Sequence, residues 1–68
     1  MAKHNPHPDL LFHALSDPTR RMMLNRLARG PAPVTELAGP SGFRLPTILR
    51  HLSVLEEAGL VATQKDGR

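Results

Sequence analysis

Proline and glycine cut this chain into short pieces, and that punctuation limits its fold more than any other feature. Of the 68 residues, 7 are proline and 5 are glycine. A proline inside a helix lacks one amide and strikes the carbonyl four residues back, whereas glycine readily takes the left-handed conformation that closes a helix. Breaks fall at Pro18, at Gly30-Pro31 and Pro33, at Gly39-Pro40 and Gly42, at Pro46 and at Gly59. Only short elements fit between them.

Within those limits, apolar residues recur at helical spacing. Residues 1–8, with Lys3, His4, His7, Pro6 and Pro8, have no such period and are expected to form an arm. A first helix over 9–15 carries Leu10, Leu11, Phe12, Ala14 and Leu15. Asp17-Pro18 then supplies a capping carboxylate and a proline suited to the first helical position, opening a helix over 18–29. Its stripe is Met23, Leu24, Leu27 and Ala28, with Gly30 as the stop. A short helix over 34–38 is expected to end at Gly39-Pro40, and a longer one over 45–58 at Gly59.

After Gly59 the alternation of Leu60 to Lys65 predicts a strand over 61–65, and Asp66-Gly67 is a favoured hairpin turn. The expected class is therefore mainly α with a small β wing, a winged helix-turn-helix over 9–68. A hairpin with only its first strand cannot close a ladder, so the chain reads as part of a longer protein, incomplete at the C-terminus.

A domain of about 60 residues buries only about 60% of the surface its unfolded chain exposes. Such folds are usually reinforced, and with no cysteine here both disulfides and thiolate-bound zinc are excluded. A partner subunit is the remaining expectation. Nine Lys+Arg against six Asp+Glu give a net charge of +3, which favours an anionic partner. Phe12 and Phe43 are the only aromatic residues, too few for the stacking platforms of single-strand binders, so duplex DNA fits better. There is no apolar run long enough for a membrane span and no signal-peptide core, which makes the cytoplasm the expected location.

Two helices joined by a tight glycine-containing turn, the second leading into a strand and hairpin, is the element order of a winged helix-turn-helix. Its second helix must bury one face and leave the opposite one free for a major groove about 12 Å wide. On residues 45–58, Ile48, Leu52 and Leu55 centre the buried face and Pro46, Arg50, Ser53 and Glu57 the opposite one. Arg50 suits a bidentate contact to guanine, Thr47 or Leu49 a thymine methyl, and Ser53 a base edge. Arg44, at the mouth of the helix, suits a phosphate. Leu49 has packing against the preceding helix as its other expectation. His51, on the shoulder of the helix, can donate to a phosphate or to a nearby carbonyl. Arg68 could reach a minor groove from the wing. Arg20 and Arg21 are placed either on a solvated face or at phosphates.

The runs Leu15-Ser16-Asp17-Pro18-Thr19-Arg20-Arg21, Glu36-Leu37-Ala38, Pro46-Thr47 through His51-Leu52, and Val54-Leu55-Glu56-Glu57-Ala58-Gly59-Leu60-Val61 occur in one order and spacing. Together they closely resemble the ArsR-type (ArsR/SmtB-like) regulators, over residues 10–68. The resemblance implies a homodimeric repressor that grips an operator with the helix beginning near Leu45 and with a β-hairpin wing, and that lets go when a ligand or metal binds. Members that sense arsenic place cysteines where this chain has Val34, Thr35, Glu36 and Leu37, so that chemistry is ruled out. The chain looks like the branch without obvious metal ligands. Members also add a strand and a helix that forms much of the dimer interface, and both would follow Arg68.

Other functions fit less well. His4 and His7 on the arm, and His13 and His51 in different helices, lack the spacing of a metal site, so no metal or cofactor is expected. His13, Ser16 and Asp17 have the residue types of a catalytic triad, but neighbours at a helix cap cannot converge in a pocket, and no enzyme is expected. The remaining alternative is a winged helix that binds another protein.

Overall fold

The computed structural model describes residues 8–63, apart from the side chains of Pro40 and Ser41. Four helices follow one another: α1 (Pro8–Leu15), α2 (Pro18–Leu27), α3 (Val34–Ser41) and α4 (Leu45–Glu57). Helix α4 packs against each of the other three, and α2 also touches α1 and α3. The core where they meet is Ala14, Met23, Leu37, Ile48, Leu55 and Ala58, with Leu11, Leu24, Leu27, Val34, Leu52 and Val61 packed around it.

The helix ends follow from local chemistry. Asp17 has extended backbone (φ −102, ψ 128) and its carboxylate accepts from the Arg20 amide at 3.0 Å, with Pro18 opening the helix behind it. Burial works against the charge of Asp17. That amide, the Thr19 amide, His51 and the Arg20 guanidinium outweigh it and hold its carboxyl below the ordinary 3.8. A carboxyl so lowered adds stability above its unfolded value, and that stability is lost as the pH falls through the folded value. Asp17→Ala is expected to cost about 1 kcal/mol at neutral pH. Thermal melts of the two proteins should converge at acidic pH; a gap that persists there would mean the carboxylate charge is not what matters.

At the other end of α4, the Leu60 amide bonds the Leu55 carbonyl at 3.0 Å and the Gly59 amide bonds that of Glu56 at 2.9 Å. This paired closure needs a left-handed residue between them, which Gly59 supplies at φ 77. Between α2 and α3, Arg26 secures the loop. It donates to the Gly30 carbonyl at 3.1 Å and to the Glu36 carboxylate at 2.8 Å.

Several expected boundaries move. Helix α1 starts at Pro8, and α2 ends at Leu27 because the Arg29 and Gly30 amides turn back onto Arg26 and Leu27, three residues earlier. Helix α3 runs through Gly39-Pro40 to Ser41. A residue before proline avoids the helical conformation partly because its Cβ meets the proline ring, and Gly39 has no Cβ. The stop is instead Gly42, at φ 76. Helix α4 ends at Glu57, with Ala58 as its cap. Residues 61–63 form no strand, since a strand needs a ladder partner, and the rest of the expected wing, 64–68, lies outside the described residues. Of the expected arm over 1–8, residues 1–7 lie outside them too, and Pro8 belongs to α1.

Candidate nucleic-acid interface

Helix α3, the Gly42 turn and α4 make a helix-turn-helix whose second helix shows two different faces. Ile48 and Leu55 are completely buried, with Leu52 half-buried beside them. Pro46, Leu49, Arg50, Ser53 and Glu57 are exposed on the other side. The division follows the helical period, with apolar residues at steps of three and four anchoring α4.

Charge is distributed unevenly along the exposed face. Arg44 caps the N-terminus of α4 and Arg50 sits near its middle, with Glu56 and Glu57 at its last turn. Both arginines are exposed, and the side chain of neither takes part in a hydrogen bond or ion pair among the described residues. Glu56 is engaged, accepting from the Thr63 hydroxyl and so tying the segment after α4 back to the helix. Cation and helix N-terminus therefore lie at the same end, where an anion is favoured.

The expected site residues separate into three groups. Arg44, Arg50 and Ser53 lie open on the face with Pro46, and Thr47 is half-buried at its edge. Leu49 is 48% exposed, so the expected packing against the preceding helix gives way to a place on the open face. Leu45 and Phe43, at and just before the start of the helix, are 41% and 44% exposed. His51 is turned inward: it is half-buried, and its Nδ1 meets the Arg20 guanidinium at 3.0 Å. Arg68 lies outside the described residues.

Arg20 corrects the sequence reading most sharply. It is buried, only 7% exposed, and takes neither of the two places expected for it. Its Nε donates to the Ala14 carbonyl at 2.8 Å and its Nη2 to the His13 carbonyl at 2.9 Å, while Nη1 faces His51. The last carbonyls of a helix have no partner inside it, and a cation there also offsets the negative end of the helix dipole. Neighbouring Arg21 is exposed but donates to the Leu15 carbonyl at 2.6 Å. One sequence signal was available: Arg20 falls in line with Met23, Leu24 and Leu27, on the apolar stripe of α2.

A small hollow of about 290 Å³ between α2 and α3 is lined by Met22, Met23, Arg26, Arg29, Glu36 and Leu37, none of them on α4. Arg26 already occupies Glu36, and its hydrogen bond and charge hold that carboxyl below 4.5. No helix is long and apolar enough to cross a membrane among the described residues.

Comparison with known proteins agrees with this geometry. Residues 15–64 match a family described as a helix-turn-helix domain. The chain is 43% identical over 60 residues to the HTH-type transcriptional regulator Rv2034 of Mycobacterium tuberculosis, covering 88% of this chain and 56% of that protein. It is 37% identical over 65 residues to a probable mercury resistance operon repressor of Streptomyces lividans, covering 91% and 52%. The chain thus spans about half the length of these curated relatives. A crystal structure of an ArsR family transcriptional regulator superposes with a TM-score of 0.84 at 49% identity, over 90% of this chain and 67% of that one.

Proposed function

The chain belongs to the ArsR family of helix-turn-helix transcriptional regulators, and from that we propose that it reads double-stranded DNA through the exposed face of α4 and represses transcription until a signal releases it. The observation that carries this reading is the pair of exposed arginines, Arg44 at the N-terminus and Arg50 near the middle of a helix whose opposite face is locked in the core, with no side-chain partner for either among the described residues. Arg44 takes a phosphate, and Arg50, Thr47 and Ser53 discriminate bases, with Leu49 against a thymine methyl. Arg68 adds a minor-groove contact from a wing formed by the residues after 60.

The protein acts as a cytoplasmic homodimer. Two copies of α4 then enter successive major grooves about 34 Å apart, and a signal that alters their spacing releases the operator. Exposed Leu10, Phe12 and Leu15 on α1 support a partner subunit there. The name of the Streptomyces relative supports repression, and no metal or cofactor is assigned to this chain.

Binding to the protein's own upstream DNA and to a scrambled duplex, titrated with salt, tests the reading. Sequence preference with a steep loss of affinity as salt rises is the expected result. Arg50→Ala should cost about 1–3 kcal/mol, concentrated at one base position. An equal loss on every sequence would reassign Arg50 to a phosphate. Leu49, 48% exposed on that face, favours a second reading, a surface for another protein. Weak, sequence-blind binding to DNA beside a salt-insensitive protein contact would put that reading first.

A further inference from the structure

Among the described residues, the contacts of Arg20 join three helices at one guanidinium. From α2 it reaches the terminal carbonyls of α1, at 2.8 Å and 2.9 Å, and His51 in the middle of α4, at 3.0 Å. A guanidinium has only donors, so His51 Nδ1 must be the acceptor and the ring proton must sit on Nε2. The bond therefore exists only while the imidazole is neutral. A protonated ring has no acceptor left and sets a second cation against Arg20.

We propose that Arg20 is the positioning residue of the DNA-reading helix, and that protonation of His51 breaks its hold on α4 and loosens DNA binding. This rests on the reading of α4 as the DNA-binding helix. The consequence runs opposite to the ordinary one. A histidine that touched a phosphate would strengthen binding when charged, whereas here the charged ring loses the contact that orders Arg44, Arg50 and Ser53 against the rest of the fold.

The surroundings of the ring set the balance. Facing it from the start of α2 are Arg20 and the Asp17 carboxylate, whose charges act in opposite senses on a His51 cation. Asp17 is itself bonded to the Arg20 amide. Helix α1 offers the His13 and Ala14 carbonyls to the guanidinium; its own titratable groups are the exposed His13 and, at its far end, Asp9. The one titratable side chain of α3, Glu36, is bonded to Arg26. Arg50, next to His51 on α4, is exposed, and the Phe43 ring lies 6.3 Å from the imidazole at 46°.

The test compares the protein with His51→Asn, which keeps an acceptor near Nδ1 and cannot be protonated. Operator affinity and thermal stability are followed between about pH 8 and about pH 5, the interval in which histidines change charge. Relative to His51→Asn, the unaltered protein is expected to lose about fivefold or more in affinity on acidification, the scale of a modest coupling between sites. It should also lose stability relative to the variant. Nitrogen NMR of the labelled ring should show an unprotonated Nδ1 and a protonated Nε2 at the upper pH, and Arg20→Met, which offers no donor, should weaken that preference. A protonated Nδ1, parallel pH profiles, or affinity that rises more in the unaltered protein would each overturn the proposal. If no operator is bound at any pH, the DNA reading fails, and the ring spectrum with the stability profile still decides the role of Arg20.

Discussion

Leu55→Ala is expected to lower the stability of this protein by about 2–5 kcal/mol, the range for removing a large aliphatic side chain from a close-packed core. Leu55 is completely buried, and it lies on a helix that touches all three others. Native domains retain only about 0.05–0.15 kcal/mol per residue, which for a chain of this length is about 3–10 kcal/mol in total. The loss is thus of the same order as the whole. Collapse around the gap is restricted, because Ile48 and Met23 are already buried and the Leu55 carbonyl is held by the Leu60 amide at 3.0 Å. Denaturant unfolding should show a midpoint far below that of the unaltered protein, or no folded baseline. Leu55→Met, which conserves volume, should cost less than about 1.5 kcal/mol. Equal losses from both would mean that the site demands the shape of leucine rather than filled space.

That anchoring role was legible because helical periodicity is a local signal. Ile48, Leu52 and Leu55 align at steps of four and three whatever else the chain does, and the same projection leaves Pro46, Arg50 and Ser53 outside, as they are. Caps were equally legible where one side chain decides them: Asp17 before Pro18, Gly59 after α4. Gly39-Pro40 misled because the two residues act together, the glycine removing the Cβ that makes a pre-proline helix costly. The α2 stripe signalled the inward placement of Arg20, but its partners lay beyond local reasoning. His51 is 31 residues away in sequence, and only the packing of α2 on α4 brings the two to 3.0 Å. Which of its two expected places Leu49 takes was not legible for a related reason: which flank of an amphipathic helix its neighbour covers depends on the crossing angle, and no period encodes that.

Arg20→Met is the second change with a large expected effect, about 3 kcal/mol, although methionine fills much of the same space and removes a buried charge. Burying an arginine is costly in itself, so an apolar replacement gains back desolvation. The deciding factor is what the guanidinium leaves behind. The carbonyls of His13 and Ala14 and the His51 Nδ1 all face Arg20, and the Ala14 contact lies in the interior. Stranding a buried acceptor costs about 1–3 kcal/mol, and two of these three belong to a helix end, where no intrahelical amide can replace the donor. For a domain of this size 1 kcal/mol moves the melting temperature by about 4–8 °C, so a fall of roughly 12–24 °C is expected. Arg20→Lys should recover part of it, since one ammonium cannot hold the fork geometry that serves two carbonyls and a ring nitrogen at once. A methionine variant as stable as the parent would mean that water takes over all three acceptors, and that neither the charge nor the hydrogen bonds of Arg20 contribute on balance. Full rescue by lysine after a loss in the methionine variant would instead mean that Arg20 binds α1 to α4 through charge, because only a planar donor can satisfy the three acceptors together.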